Sequence, residues 1–385
     1  MTEENKNVKK FPNLRFPGFE GDWKTVKLGD ITSWSSGGTP SKENPSFWNG
    51  EIPWISASSM RGLVYSDSEL KITEAGLLKG SKLAKKGSLL ILVRGSMLFN
   101  KIPIGIVSKN VAFNQDVKSI VVNEQSSSEY ILYWFLAFEP TILNIVSGTG
   151  IGAGKLDLKD LKDLDVNIPN LIEQKKISAF LSLIESRIET QRKIIEGLIT
   201  LKIQSRNKLF KRIIKDDYEA FTVEEILNYE QPTKYIVSNT DYSSDKSLIP
   251  VLTANKAFIL GYTNEDWGIY NKGKCIVLDD FTLDLKYVDF SFKIKSSAIK
   301  LLTPKNNVDL KFVFEYFSFL NLSSNEHKRH YISEIQPMLL NIPAIDIQNN
   351  ISNFLSKLDS KISLETELLT QYENQKKYLL QNLFV

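Results

Sequence analysis

The stretch NIPNLIEQKKISAFLSLIESRIETQRKIIEGLITLKIQSRNKLF, residues 167–210, recurs as NIPAIDIQNNISNFLSKLDSKISLETELLTQYENQKKYLLQNLF, residues 341–384. The copies align without a gap over 44 positions at a constant offset of 174, and 14 positions are identical. Self-similarity at one fixed spacing means two copies of one module. Each copy also carries a heptad stripe. In the first, Ile177, Leu181, Ile184, Ile188, Ile195 and Leu198 are spaced 4-3-4-7-3, and in the second Ile351, Leu355, Leu358, Ile362, Leu369 and Tyr372 repeat that spacing. Apolar residues every 3.5 positions on average form a narrow seam that needs a partner helix. The position missing from the stripe is polar in both copies, Gln191 and Glu365, and a polar seam residue sacrifices stability to fix register. The repeat therefore predicts two long helices that pair with one another. At 1.5 Å per residue, about 40 residues give a rod of roughly 60 Å. An approximate internal twofold suits a target with two half-sites, of which duplex DNA is the commonest.

Working outward, the rods separate two globular stretches. Lys24-Thr25-Val26-Lys27-Leu28-Gly29-Asp30-Ile31 is echoed by Glu219-Ala220-Phe221-Thr222-Val223-Glu224-Glu225-Ile226 at an offset of 195, so the second domain is about 21 residues shorter than the first. Glu51 to Ile55 parallels Leu248 to Leu252, and Lys86 to Ile91 parallels Lys272 to Val277; these are short aliphatic runs after turn residues, as strands require. Each domain then has an aromatic-rich helical stretch, Tyr130 to Phe138 and Phe312 to Phe319. The expected fold is α+β, with two small irregular sheets alternating with two long helices that pair as a coiled coil. The expected boundaries are a tail at 1–21, a first domain at 22–166, a helix at 167–215, a second domain at 216–340 and a helix at 341–385. The helices share about a third of their residues and the domains far fewer. Rods must match to pair, whereas domains that recognise different things need not.

Composition narrows the class. A chain of 385 residues, 42% hydrophobic and 24% charged, is ordinary globular material. No apolar run approaches the length of a membrane span, and the charged residues 1–10 have no apolar core of a secretory signal. The single cysteine, Cys275, excludes an intrachain disulfide and points to a reducing compartment, so a cytoplasmic location is expected. Net charge is only +3, but 167–215 holds 11 Lys/Arg against 4 Asp/Glu, while 216–340 holds 13 against 18. The excess on the first rod suits phosphates, an acidic protein or a solvated face equally well, and charge does not decide between them.

The search for catalytic groups yields nothing. Gly148-Thr149-Gly150-Ile151-Gly152-Ala153-Gly154-Lys155 has phosphate-loop composition, but Thr149 stands where a glycine is required and Leu156 where Ser or Thr must bind magnesium. It reads as a flexible loop whose Lys155 is a candidate for backbone contact. His327 and His330 are the only histidines and Cys275 lies far away, so no metal site is expected. Asp279, Asp280, Asp284 and Lys286 have a magnesium-nuclease flavour, but all lie in one short segment without a counterpart in the first domain. No amino-methyltransferase motif and no glycine-rich cofactor loop is present. The residues describe a recognition device without chemistry of its own.

Pro12-Asn13-Leu14-Arg15-Phe16-Pro17-Gly18-Phe19-Glu20-Gly21-Asp22-Trp23, Leu28-Gly29-Asp30-Ile31, Ser36-Gly37-Gly38-Thr39-Pro40-Ser41, Trp48-Asn49-Gly50-Glu51-Ile52-Pro53-Trp54-Ile55 and Ile168-Pro169-Asn170-Leu171-Ile172-Glu173-Gln174 together resemble the DNA-specificity subunit of type I restriction-modification systems. The second copy of the last motif departs, with Ile347 in place of Glu173 while Gln348 is kept. The resemblance covers essentially the whole chain, and its specificity lies in the order and duplication of the motifs. It implies that each globular domain reads one half of a split, asymmetric site on double-stranded DNA. It further implies that the helices pack as an antiparallel coiled coil, set the spacer and dock two methyltransferase subunits, with a restriction and translocation subunit joining the assembly. S-adenosylmethionine, ATP and magnesium would belong to those partners and none to this chain.

Polar and basic residues in expected loops are the candidates for DNA contact. In the first domain these are Ser36, Thr39 and Ser41 in a glycine-rich loop where backbone can approach phosphate. Ser56, Ser58, Ser59 and Arg61 follow the Trp54 strand, and Arg94 and Ser96 follow the next. In the second domain they are Thr253, Asn255 and Lys256, then Asp280 and Thr282, then Lys328, Arg329 and His330. Arg addresses guanine and Asn addresses adenine with paired hydrogen bonds. Trp54 reads as core. Two rivals stand beside this reading: a magnesium-dependent nuclease built on Asp279 to Lys286, and a coiled-coil protein scaffold for which DNA is incidental.

Overall fold

The computed structural model describes residues 11–150, 152–216, 218–254, 257–324, 326 and 328–385. Its long helices are Leu171–Lys215 and Ile345–Asn382. The chain divides into two compact units, one reaching to Gln191 and including Leu368–Val385, the other Arg192–Glu367. Each unit thus owns one globular domain and part of both helices.

The two domains share the order of their main sheet strands. In the first unit an antiparallel sheet runs in the order Thr32–Ser36, Val117–Val122, Leu89–Leu92, Ile104–Val107, with Val64–Tyr65 added in parallel at the edge. In the second unit the order is Leu227–Glu230, Ile299–Pro304, Cys275–Asp279, Leu285–Val288, again antiparallel. The strands beginning at Leu89 and Cys275 are apolar runs buried along their first four residues, as strands covered on both faces must be. A second sheet in each unit contains one parallel pair: Ala112 and Phe113 lie beside Trp54 and Ile55, and Lys293 and Ile294 lie beside Val251 and Leu252. A two-stranded ribbon closes each domain, Lys24–Lys27 with Asp165–Ile168 and Ala220–Thr222 with Leu339–Asn341.

The aromatic stretches form helices α1, Ser128–Ala137, and α2, Leu310–Leu320. Each is started by a side-chain cap: the Ser127 hydroxyl accepts from the Tyr130 amide at 3.0 Å, and the Asp309 carboxylate from the Phe312 amide at 2.6 Å. Such caps satisfy amides that have no partner inside the helix. The repeated glutamine explains how the long helices are fixed to α1 and α2. Gln174 Nε2 donates to the Pro169 and Gln125 carbonyls while its Oε1 accepts from the Ser127 amide. Gln348 does the same with the Pro343 and Asn307 carbonyls and the Asp309 amide. The repeated Leu-Phe pair brings a phenylalanine into the core of each unit. Phe384 packs on Tyr130 in the first unit, and Phe210 packs on Phe312, Tyr316 and Phe319 in the second.

The long helices run antiparallel within each unit. In the first, Lys376 meets Glu185 at 2.5 Å and Arg187 lies over the Tyr372 ring. In the second, Lys202 meets Asp359 at 2.6 Å, and Leu209 and Ile213 face Ile347 and Ile351 across a groove. Lys202 and Lys376 are repeat equivalents, as are Glu185 and Asp359, so one ion pair has been written twice. Ile177, Leu181, Ile184, Ile188, Ile351 and Leu355 are buried, and Ile195, Leu198, Leu358, Ile362, Leu369 and Tyr372 are half-buried. Gln191 and Glu365 are buried as well. Among the described residues no helix is long and apolar enough to cross a membrane.

Candidate nucleic-acid interface

In the first domain, hydrogen bonding and sheet register gather several of the candidate residues on one face. Arg94–Gly95 pairs antiparallel with Gly154–Lys155, which pairs in turn with Ser147–Gly148. Arg94 and Lys155 are directly opposite, so two cationic side chains share one side of the ribbon; such like-charged pairs repel unless an anion intervenes. Lys155 also reaches Asp157 at 3.7 Å, whereas Arg94 is exposed with no acidic partner among the described residues. The loop reading of 148–155 is corrected at Lys155, which sits on a strand. Ile151 lies outside the described residues.

The same face continues through Lys118, which sequence reasoning missed. Lys118 stands opposite Ser36 in the sheet, and its ammonium donates to the Gln115 carbonyl at 2.7 Å. Burial of its stem lowers its pKa; Asp116 opposes that shift, and the nearby positive charge of Arg94 adds to it. Thr39 donates to Gln115 Oε1 at 2.6 Å. Ser36, Thr39, Gln115, Lys118, Arg94 and Lys155 thus form a continuous polar and basic strip, with exposed Ser96 beside Arg94. The sequence signal for Lys118 was alternation: Val117 and Ser119 turn inward, so Lys118 turns out.

The glycines of this loop have a different role from the expected approach to phosphate. A β-carbon at Gly37 would come within 2.1 Å of the Phe113 carbonyl oxygen, and one at Gly38 within 2.4 Å of the Gly80 carbonyl oxygen. They are required by close packing of the chain against itself. Ser41 is exposed, and its carbonyl accepts from Trp48 Nε1 at 3.0 Å. Trp54 is buried and donates to the Gly38 carbonyl, as a core residue does.

Ser56, Ser58, Ser59 and Arg61 form a second group. Ser56 and Ser59 cap the turn Ala57–Ser59 reciprocally, Ser56 also bonds Ser58 at 3.0 Å, and Ser59 accepts from Ser68. Ser58, Ser59 and exposed Arg61 line a recess of about 410 Å³ together with Asp67, Ser68 and Glu69. Its mixed signs suit donor and acceptor edges better than phosphate.

The second domain departs from expectation. Asp280 is buried, ion-paired to buried Lys300 at 3.2 Å, and its carboxylate accepts from the His330 and Tyr331 amides. His330 is buried too, its Nδ1 at 2.9 Å from a Glu334 oxygen. Thr253 is buried. For these three the expectation of an exposed loop side chain is corrected: they lie inside the domain, where Asp280 and His330 make internal contacts. The reason is electrostatic, since a buried carboxylate persists only when paired and hydrogen-bonded. Thr282 is exposed but bonded to Asp284. Lys328 is exposed and paired to Glu326 and Glu334, and exposed Arg329 lies 4.0 Å from Asp280. Asn255, Lys256 and His327 lie outside the described residues.

Each carboxylate of the nuclease constellation is engaged by the chain itself. Asp279 accepts from the Phe281 and Thr282 amides, Asp280 from the chain at His330, and Asp284 from Thr282. Among the described residues no three acidic, histidine or cysteine groups are placed to hold a metal ion.

Comparison with known proteins agrees in fold and sequence. The family model for the type I restriction modification DNA specificity domain matches residues 20–198. The EcoR124I/EcoR124II specificity subunit of Escherichia coli is 43% identical over 166 residues, which is 40% of each chain. The MjaVIII specificity subunit of Methanocaldococcus jannaschii is 24% identical over 419 residues, covering 98% of this chain and 95% of that one. Among solved structures, the type I restriction-modification S subunit from M. genitalium superposes with a TM-score of 0.65 at 16% identity, covering 97% of this chain and 99% of the other.

Proposed function

Because this chain belongs to the specificity-subunit family of type I restriction-modification systems, we propose that it reads a bipartite, asymmetric DNA site and carries no catalytic centre. The observation that carries this reading is the pairing of one topology, repeated, with two different surfaces. Both units have the same sheet order and the same glutamine latch. Yet the first presents Arg94, Lys118 and Lys155 on a strip, while its counterpart buries Asp280 against Lys300. Two scaffolds of like topology would meet the two half-sites in like fashion, and unlike surfaces would select unlike bases. In the first domain the strip would hold phosphates and so position the protein, leaving the Arg61 recess to address base edges.

The long helices would set the spacing between half-sites. They would also dock two methyltransferase subunits bringing S-adenosylmethionine, and a restriction subunit would bring ATP and magnesium. Selection of bound duplexes from a randomised library, with this chain assembled on its methyltransferase partner, tests the reading. Two separated and different blocks of specified bases are expected. A single contiguous block would overturn it, and assembly without any selected sequence would favour a protein scaffold.

A further inference from the structure

The repeat leaves one groove filled and its equivalent open. In the first unit, the segment around Leu14 to Phe16 lies between the start of one long helix and the end of the other. The Leu14 amide donates to the Asn382 carbonyl at 2.8 Å and the Asn13 amide group to Asn382 Oδ1 at 3.4 Å. The Arg15 guanidinium bonds both carboxylate oxygens of buried Glu173 at 2.8 and 2.9 Å. Phe16 packs edge-on against Phe180 at 5.6 Å, and Lys176 covers its ring.

In the second unit the equivalents of Glu173, Lys176, Phe180, Asn382 and Leu383 are Ile347, Asn350, Phe354, Lys208 and Leu209. There the chain continues past Phe210 as helix to Lys215, and a groove of about 600 Å³ remains between the helices. Every equivalent at its centre is more exposed. Phe354 is 45% exposed while Phe180 is half-buried; Leu209 and Ile347 are half-buried while Leu383 and Glu173 are buried.

We propose that this groove receives an extended segment of another polypeptide, chemically an altered version of the segment that fills its twin. An aromatic ring would cover Phe354 as Phe16 covers Phe180. An aliphatic side chain would replace Arg15, because Ile347 offers no carboxylate and a buried unpaired guanidinium is costly. An acidic residue would take the place of Asn13, because Lys208 stands where Asn382 does. The chain's own 11–22 segment, supplied by a second copy, is disfavoured by that same Arg15. The Lys208 carbonyl lies inside a helix, so side chains rather than a backbone bond would hold the occupant.

The test uses the full chain and a fluorescent peptide of residues 11–22 carrying Asn13→Asp and Arg15→Leu, followed by anisotropy without DNA. Saturable binding is expected, weakened at least about tenfold by Phe354→Ala, which alters an exposed residue and spares the core. Ile347→Glu should reverse the preference, so that the parent peptide with Arg15 binds the better of the two. Absence of saturable binding, or binding that ignores both Phe354→Ala and Ile347→Glu, would overturn the proposal. Neither outcome depends on how the domains read DNA.

Discussion

Replacing the repeated glutamine should injure both units in the same way. Gln174 and Gln348 are buried, and each accepts one amide hydrogen bond and donates two to carbonyls. A neutral hydrogen bond contributes about 1 kcal/mol net, while a buried group left unsatisfied costs about 1–3 kcal/mol. In each latch the bond to the proline carbonyl is buried and the other two are half-buried, so water can recover part of the latter. Gln174→Ala and Gln348→Ala should therefore each cost about 2–4 kcal/mol. Glutamate in place of glutamine should cost at least as much, because it sets an oxygen against the two carbonyls that Nε2 served. Since the chain has two compact units, a single denaturation midpoint would mix them. Hydrogen exchange resolves them: Gln174→Ala should speed exchange in Ser128–Ala137, and Gln348→Ala in Leu310–Leu320. Losses below about 0.5 kcal/mol at both sites, the range of an ordinary surface change, would refute the latch.

Further outcomes follow from the same contacts. Arg94→Ala and Lys118→Ala should each weaken DNA binding to all sequences alike and reduce the slope of log affinity against log salt by about one. Arg61→Ala should instead relax discrimination within the first half-site by roughly 1–3 kcal/mol; a loss uniform across sequences would make it a phosphate contact. Ile184→Asp places a carboxylate in the buried seam of the first unit and should destabilise that unit by about 3–5 kcal/mol, which thermal unfolding of the purified variant measures. Acid should selectively weaken the second unit. Burial alone would raise the carboxyls of Glu230 and Glu265, but hydrogen bonds from Lys234 and Lys272 to the first, and from Lys293 and Ser238 to the second, bring both down to about 2. A depressed carboxylate stabilises the fold above its unfolded pKa, so this contribution is present above about pH 4.5 and fades as pH falls toward 2. Lys293→Met should move the acid transition of the second unit upward, as followed by the fluorescence of Trp267, the only tryptophan of that unit.

The long helices and their pairing were legible because a heptad seam is a local, periodic signal and the two copies align at one exact offset; their antiparallel sense was carried by the family resemblance alone. Strands were legible through echoes such as Lys86 to Ile91 against Lys272 to Val277, but their order in the sheets was not. Nor was the parallel pair in each second sheet, since Ala112 and Trp54 come together from 58 positions apart. Site residues were read from type and turn chemistry, and type does not reveal partners. Asp280 looked available because Lys300 and the amides of His330 and Tyr331 are brought to it only by tertiary folding. The glycines beside Ser36 and Thr39 were read as letting backbone approach phosphate, whereas the close approach that Gly37 and Gly38 permit is to Phe113 and Gly80. The empty groove at Phe354 could not be seen in the sequence, although the exchange of Glu173 for Ile347 marked its place.

The most direct test of the central claim is methylome sequencing of a methylation-deficient host that carries this chain with its methyltransferase subunit. The account predicts a split, asymmetric motif that disappears when this chain is removed, and whose first half alone loosens in Arg61→Ala. A symmetric motif would contradict the inference that the two domains read different bases, and methylation independent of this chain would contradict its role as the reader.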